Sequence, residues 1–274
     1  MKTLVVLMAG LLVSACASLP SPATRRDTAD ALAARQGWQH IDIPARSFDL
    51  AAYVPRVQAS GEMLSVYIEG DGFAWFSPSQ PSSDPTPINP LGLKLALAQP
   101  DGPAAYLARP CQFVDAEASG CAQRYWTQQR FAPEVIAAED QALDALKARF
   151  HAVQLTLVGY SGGAAVAALL AERRHDVSRL ITVAGNLDPV AWTRYHHVEP
   201  LTGSLNPADA RAALKGVRQW HFVGGQDRVV PPALVESFAD GFPAAQRPTV
   251  RIEPGYTHDC CWTENWPRLI EQVH

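Results

Sequence analysis

The chain has 274 residues, of which 47% are hydrophobic and 18% charged, with 23 Lys and Arg against 27 Asp and Glu and a formal net charge of −4. This composition excludes a disordered or fibrous chain, and a near-neutral balance without a long Lys/Arg run gives no electrostatic footprint for nucleic acid. Five cysteines are too few for a disulfide scaffold, so stability rests mainly on a buried core of ordinary size.

The first stretch stands apart from that core. Met1-Lys2-Thr3 supplies a positive start, Leu4 to Val13 an apolar run, and Val13-Ser14-Ala15-Cys16 a small-residue cleavage site. The run is too short for a hydrocarbon core of roughly 30 Å, which takes about 20 apolar residues, so it reads as a signal and not a span. The Val-Ser-Ala-Cys tetrad resembles the lipobox of bacterial lipoproteins, which implies lipidation of Cys16 as the first mature residue; the alternative is an ordinary secretory signal with an incidental cysteine. With Ala17 and Ser18 and no Asp after it, the resemblance further implies a membrane anchor in the cell envelope, on the outer membrane facing the periplasm. Residues 1–15 are therefore expected to be a lipoprotein signal peptide and residues 31–274 a single domain. Residues 16–30 are expected to be a flexible tether, because Ala17 to Asp30 (ASLPSPATRRDTAD) is rich in Ser, Pro, Thr and charge.

In the domain, Trp38 to Ile43 and Phe48 to Val54 read as a hairpin and Leu64 to Ile68 as a third strand ending at Gly70. Ser77 to Pro90, dense in proline, reads as an irregular loop. Leu91 to Gln99 is helical in pattern, Ala104 to Ala108 a strand, Pro133 to Phe150 an amphipathic helix with proline in its first turn, and Gln154 to Val158 a strand. Ala164 to Arg174 reads as a small-residue helix, Arg179 to Val183 as a strand, Asn186 to Pro207 as a small cap and Ala208 to Leu214 as a helix. Gln219 to Val223 is a strand, Leu234 to Ala239 a helix and Thr249 to Ile252 the last strand. Such alternation defines an α/β fold with a mostly parallel central sheet and helices on both faces, since parallel neighbours need crossover connections. Ligand sites in such sheets lie beyond the carboxyl ends of the strands.

One such end carries Gly159-Tyr160-Ser161-Gly162-Gly163, directly between a strand and a helix. The pattern has a steric origin: in so tight a turn, side chains two residues either side of the serine collide, and glycines there push the hydroxyl outward. At a helix N-terminus Ser161 also gains from the helix dipole, which favours an alkoxide and the oxyanion after it. A serine hydroxyl is a weak nucleophile and needs an imidazole oriented by a carboxylate. Asp227 follows one late strand and His258 the next. His196 and His197 in the cap are the rival bases; His40, His151, His175, His221 and His274 read as structural or solvated. Asp188 is the rival acid, and Asp259 is poorly placed to reach its own neighbour's ring.

The order Ser161, Asp227, His258, with Gly-Gly-Gln-Asp227-Arg-Val-Val-Pro as the acid loop, resembles the α/β-hydrolase superfamily from about Trp38 to Val273. The resemblance implies that Ser161 is the nucleophile, His258 the base and Asp227 the acid, working through an acyl-enzyme with no metal or organic cofactor. It also implies an oxyanion hole made by the backbone N–H of Gly162 and that of Asp71 or Gly72, in a loop where Glu69 replaces the family's common histidine. Carboxylates at 69 and 71 oppose a developing anion unless a cation offsets them, and Arg109 is the candidate. Phe73, Trp75 and Phe76 either wall an acyl pocket or join the core, while Trp126, Trp192, Trp262 and Trp266 are too scattered for a stacking platform.

Setting Cys16 aside leaves Cys111, Cys121, Cys260 and Cys261. Cys111 and Cys121 close a short loop containing Gly120 and are the favoured disulfide; Cys260 and Cys261 are a vicinal pair or free thiols. A metal site at His258, Cys260 and Cys261 lacks ligand spacing and a fourth ligand. The expected protein is a lipid-anchored envelope serine hydrolase acting on a small-molecule or lipidic ester. Alternatives are an acyltransferase or peptidase of the same fold, or a non-catalytic hydrolase-fold binder, the last motivated by the acidic oxyanion loop.

Overall fold

A computed structural model describes residues 19–57, 60–115 and 120–273. The expected signal peptide, residues 1–15, and Cys16 lie outside the described residues. The chain opens with helix α1 (Pro22–Arg35), followed by β1 (Trp38–Ala45), β2 (Phe48–Pro55), β3 (Met63–Ile68), a small hairpin of β4 (Trp75–Ser77) and β5 (Gln80–Pro81), α2 (Leu91–Leu97) and β6 (Ala104–Leu107). Strict alternation follows with α3 (Pro133–Phe150), β7 (Gln154–Tyr160), α4 (Gly162–Ala171), β8 (Val177–Val183), α5 (Pro189–His196), β9 (Arg218–Gly224), α6 (Pro232–Asp240), β10 (Thr249–Glu253) and α7 (Trp262–Ile270).

Among the described residues, eight strands form one sheet in the order β1-β2-β6-β3-β7-β8-β9-β10. β1/β2 and β2/β6 pair antiparallel and the other neighbours are parallel. One face packs on α3, α4 and α6 through residues such as Leu143, Leu169 and Phe238. The other packs on α1, α2 and α7 through Ala33, Leu95 and Trp266. α4 is built from Gly, Ala, Val and Leu, and all ten of its residues are buried. Small side chains let the helix lie close against the sheet, so the turn that starts it is held without slack.

Two expectations need correction. The tether predicted over 16–30 is helix from Pro22 onward: Ser21 Oγ accepts from Thr24 N at 3.1 Å, Pro22 occupies the first turn, and Ala29 and Ala33 are buried. Arg25, also buried, reaches the Asp84 and Thr86 carbonyls and pairs with the Asp84 carboxylate at 3.5 Å. These contacts also order the proline-rich loop. The helix predicted over Ala208 to Leu214 is instead two 3₁₀ turns, Pro207–Asp209 and Arg211–Gly216, separated at Ala210 with φ −121°. The cap segment holds one helix, α5, and an αL residue at His197 ends it.

α7 was not anticipated. It places Trp262, Trp266 and Leu269 on one buried stripe, and Trp266 Nε1 donates to Tyr67 Oη at 2.9 Å. Cys111 and Cys121 are joined as a disulfide with Cα atoms 5.6 Å apart, and Cys260 is joined to Cys261.

Candidate active site

β7 runs straight into α4 through Ser161, whose φ of 51° and ψ of −120° are strained for a side-chain-bearing residue. Backbone bonds fix it there: Ser161 N donates to Val183 O at 3.0 Å, and Ser161 O accepts from Ala164 N at 3.1 Å and Asn186 N at 3.0 Å. A Cβ at Gly159 would lie 2.5 Å from Ala164 Cα, and one at Gly163 would overlap the Ile68 and Glu69 carbonyl oxygens. Both glycines are therefore required by space, as the sequence pattern predicts.

His258 Nε2 lies 3.0 Å from Ser161 Oγ, and His258 Nδ1 lies 2.9 Å from Asp227 Oδ2. The other Asp227 oxygen accepts from the Val229 and Val230 N–H groups, both at 2.8 Å. With its carboxylate so oriented, Asp227 selects the tautomer protonated on Nδ1, which leaves Nε2 to accept from the serine hydroxyl. The His258 loop is itself tied down: Thr257 N donates to Cys260 O at 3.0 Å, Cys260 N to Thr257 Oγ1 at 3.1 Å, and Trp262 Nε1 to His258 O at 3.0 Å.

The other histidines and acids near the site, the rivals His196, His197 and Asp188 among them, are engaged elsewhere. His221 is buried beside Thr182 Oγ1 at 2.9 Å, and burial pushes its pKa down to about 3, so it stays neutral. His196 lies against Trp192 with the rings tilted and bonds Val229 O at 2.8 Å, while His197 caps α5. Asp188 accepts from Ala191 N at 3.0 Å and faces Arg211 at 3.8 Å. Asp259 accepts from Tyr160 Oη at 2.8 Å.

The loop after β3 passes directly by Ser161, since a Cβ at Gly70 would lie 3.2 Å from Ser161 Cβ. Among the described residues, the N–H groups of Gly162, Asp71 and Gly72 have no internal acceptor, as an anion-binding position demands. Glu69 takes no cation. It is fully buried, accepts from Gly70 N at 3.0 Å, Gly92 N at 3.1 Å and Tyr106 Oη at 3.1 Å, and so holds the start of α2. Burial raises its pKa above the ordinary carboxylate value, against the hydrogen bonds that lower it.

Asp71 turns the other way. A Cβ at Gly162 would overlap its carboxylate, which is paired with Arg130 Nη1 and lies 3.4 Å from Arg109 Nη1. Arg109 is the expected offsetting cation, but it is buried and shared with Glu139 at 3.6 Å. Arg130, which no sequence motif marks, is the closer partner.

The serine opens into a cleft of about 620 Å³ lined by Phe73, Trp75, Ile88, Trp192 and Val229. Phe73 and Trp75 thus wall the site, while Phe76 points outward at 58% exposure. Trp192 enters from α5, the segment read as a cap. Among the described residues no group of three or more His, Cys, Asp or Glu side chains is placed to hold a metal ion, and Cys260 and Cys261 are committed to each other.

The sequence matches no protein-family model and no curated protein. Solved structures do match in shape. An alpha-beta serine hydrolase homologue from Coxiella burnetii aligns over 86% of this chain and 95% of its own, with a TM-score of 0.57 at 17% identity. An esterase from Pyrococcus furiosus aligns over 86% and 91%, with a TM-score of 0.59 at 13% identity. A Xanthomonas campestris protein described as an a/b serine hydrolase without lid aligns over 86% and 94%, with a TM-score of 0.55 at 14% identity. The chain has the α/β-hydrolase fold.

Proposed function

We propose that the protein is a serine hydrolase cleaving carboxylic esters through an acyl-enzyme on Ser161. The observation that carries this reading is the unbroken line from Asp227 Oδ2 through the His258 ring to Ser161 Oγ, with steps of 2.9 and 3.0 Å. His258 takes the serine proton as Ser161 attacks the carbonyl and returns it to the leaving oxygen; water, activated by the same imidazole, then releases the acid. Gly162 N–H and the Asp71–Gly72 amides supply the oxyanion donors. The aromatic cleft wall favours an acyl group with apolar surface over a highly polar one, and the serine hydrolases and esterases among the similar structures support the same class.

The amino-terminal sequence supports attachment by lipid at Cys16, and with it the cell envelope as the site of action. No described helix is long and apolar enough to cross a membrane. Hydrolysis of p-nitrophenyl acetate by the full chain, lost in Ser161→Ala, tests the chemistry; a folded wild type without turnover returns the non-catalytic binder. Activity on aminoacyl p-nitroanilides in place of esters returns a peptidase, and product ester formed with an added alcohol returns an acyltransferase. Metabolic labelling with an alkyne fatty acid tests the anchor, with label present in wild type and absent from Cys16→Ser.

A further inference from the structure

A second cavity, of about 730 Å³, lies where α1, α2 and α7 meet, and it shares Asn89 and Asp259 with the cleft of about 620 Å³ that holds Ser161. Its apolar surface comes from Leu32 of α1, Leu91 and Leu97 of α2 and Ala98, with the Cys260–Cys261 disulfide on the side of the His258 loop. Lys94 and Glu264 also line it. The cavity depends on α1 being docked, since Leu32 supplies one of its walls.

The chemistry at Ser161 gives this cavity a direction. In the tetrahedral intermediate the oxyanion faces Gly162 and the loop at Asp71. The leaving oxygen must face His258 Nε2 to receive its proton. Whatever the leaving oxygen carries therefore departs on the His258 side, where Asp259, the residue following His258, lines both spaces. Its carboxylate is held by Tyr160 Oη at 2.8 Å, which keeps it at the junction of the two spaces. The acyl group is left the remainder of the cleft, which Phe73, Trp75 and Trp192 wall.

We propose that this cavity is the leaving-group subsite, taking the alcohol portion of an ester whose alcohol carries an extended aliphatic chain. The assignment rests on the serine hydrolase reading above and adds to it which half of the substrate is selected for length. Small polar alcohols leave this apolar surface uncovered and gain nothing from it; a chain laid over the half-buried Leu32, Leu97 and Ala98 gains with each buried methylene.

Octyl acetate and ethyl octanoate are isomers that put the long aliphatic chain on the alcohol side (octyl) or the acyl side (heptyl) of the carbonyl, so their kcat/KM ratio reads the subsite directly. Wild type is expected to prefer octyl acetate, and Ala98→Trp, which fills the cavity from the end of α2, to lower the ratio by about tenfold through loss of chain burial. Leu32→Trp, from the facing helix, is expected to do the same and covers the case in which the first variant does not fold. A wild-type preference for ethyl octanoate, or a ratio unmoved in the folded variants, overturns the assignment. Cleavage of p-nitrophenyl acetate with neither isomer accepted also overturns it while leaving the hydrolase reading intact. No cleavage of any of the three esters is failure of the hydrolase reading itself.

Discussion

Asp71 presses its carboxylate against the backbone of Gly162 and is paired there with Arg130. A carboxylate beside the position where negative charge develops is unfavourable unless compensated. The Arg130 and Arg109 guanidiniums compensate it, and they hold the loop whose amides face Ser161. Arg130→Ala is therefore expected to lower kcat by about 10- to 100-fold with a smaller change in KM, because the loss falls on the transition state. Adding Asp71→Asn to that variant removes the charge then left to Arg109 alone and should recover part of the loss. Steady-state kinetics of the single and double variants check this; a double variant worse than Arg130→Ala contradicts it.

Asp227 does two jobs with two oxygens. Asp227→Asn keeps an acceptor for the Val229 and Val230 amides but presents an NH₂ to His258 Nδ1, which reverses the tautomer and points Nε2–H at the serine. Activity should fall by about three to four orders of magnitude, with thermal stability little changed because the loop bonds persist. A large drop in Tm together with mild loss of turnover would reassign Asp227 to a purely structural role.

Glu139 predicts a pH dependence of stability. It is fully buried on α3, neither oxygen has a hydrogen-bond partner among the described residues, and Arg109 Nε is 3.6 Å away. Burial pushes its pKa up from the ordinary 4.5 to about 8, against the pull of Arg109. The folded chain thus holds a proton that the unfolded chain releases. The stabilisation is complete below the unfolded value and is lost as pH rises through the folded one, between about 4.5 and 8. Glu139→Gln mimics the protonated form, so it should match wild type at low pH and become the more stable chain above it, the gap widening by at most about 1.4 kcal/mol per pH unit. Denaturation of both chains across this range measures the gap; parallel curves contradict the assignment.

Trp266 ties α7, and through it the loop carrying His258, to the sheet. Trp266→Ala removes a fully buried indole and its bond to Tyr67, and should cost about 3–5 kcal/mol. Trp266→Phe, which keeps most of the packing, should cost less. Urea midpoints order the three chains.

Much of the fold was legible because it follows from burial. Strands covered on both faces read as continuous apolar runs ending in glycine, and α3 begins at Pro133 and ends at Phe150 as its pattern predicts. The elbow at Ser161 was legible because sterics leave its glycines no alternative. α1 was hidden because small Ala29 and Ala33, with a buried Arg25, dock it in place of a stripe of large apolar residues, so its composition reads as solvated. α7 was hidden because Trp262 and Trp266 read as scattered until the helix aligns them. Arg130 was hidden because its role depends on Asp71 lying close to it in space, 59 positions away in sequence, and no local pattern encodes that.

The central claim is that the Ser161 oxygen is the nucleophile and His258 its base. A fluorophosphonate probe reacts with an activated serine irrespective of the substrate, so intact-mass and peptide mapping of the labelled full chain test it most directly. One adduct on Ser161, absent from Ser161→Ala and strongly slowed in His258→Ala, is the result predicted. A folded wild-type chain that takes no label, or takes it equally well without His258, would contradict it.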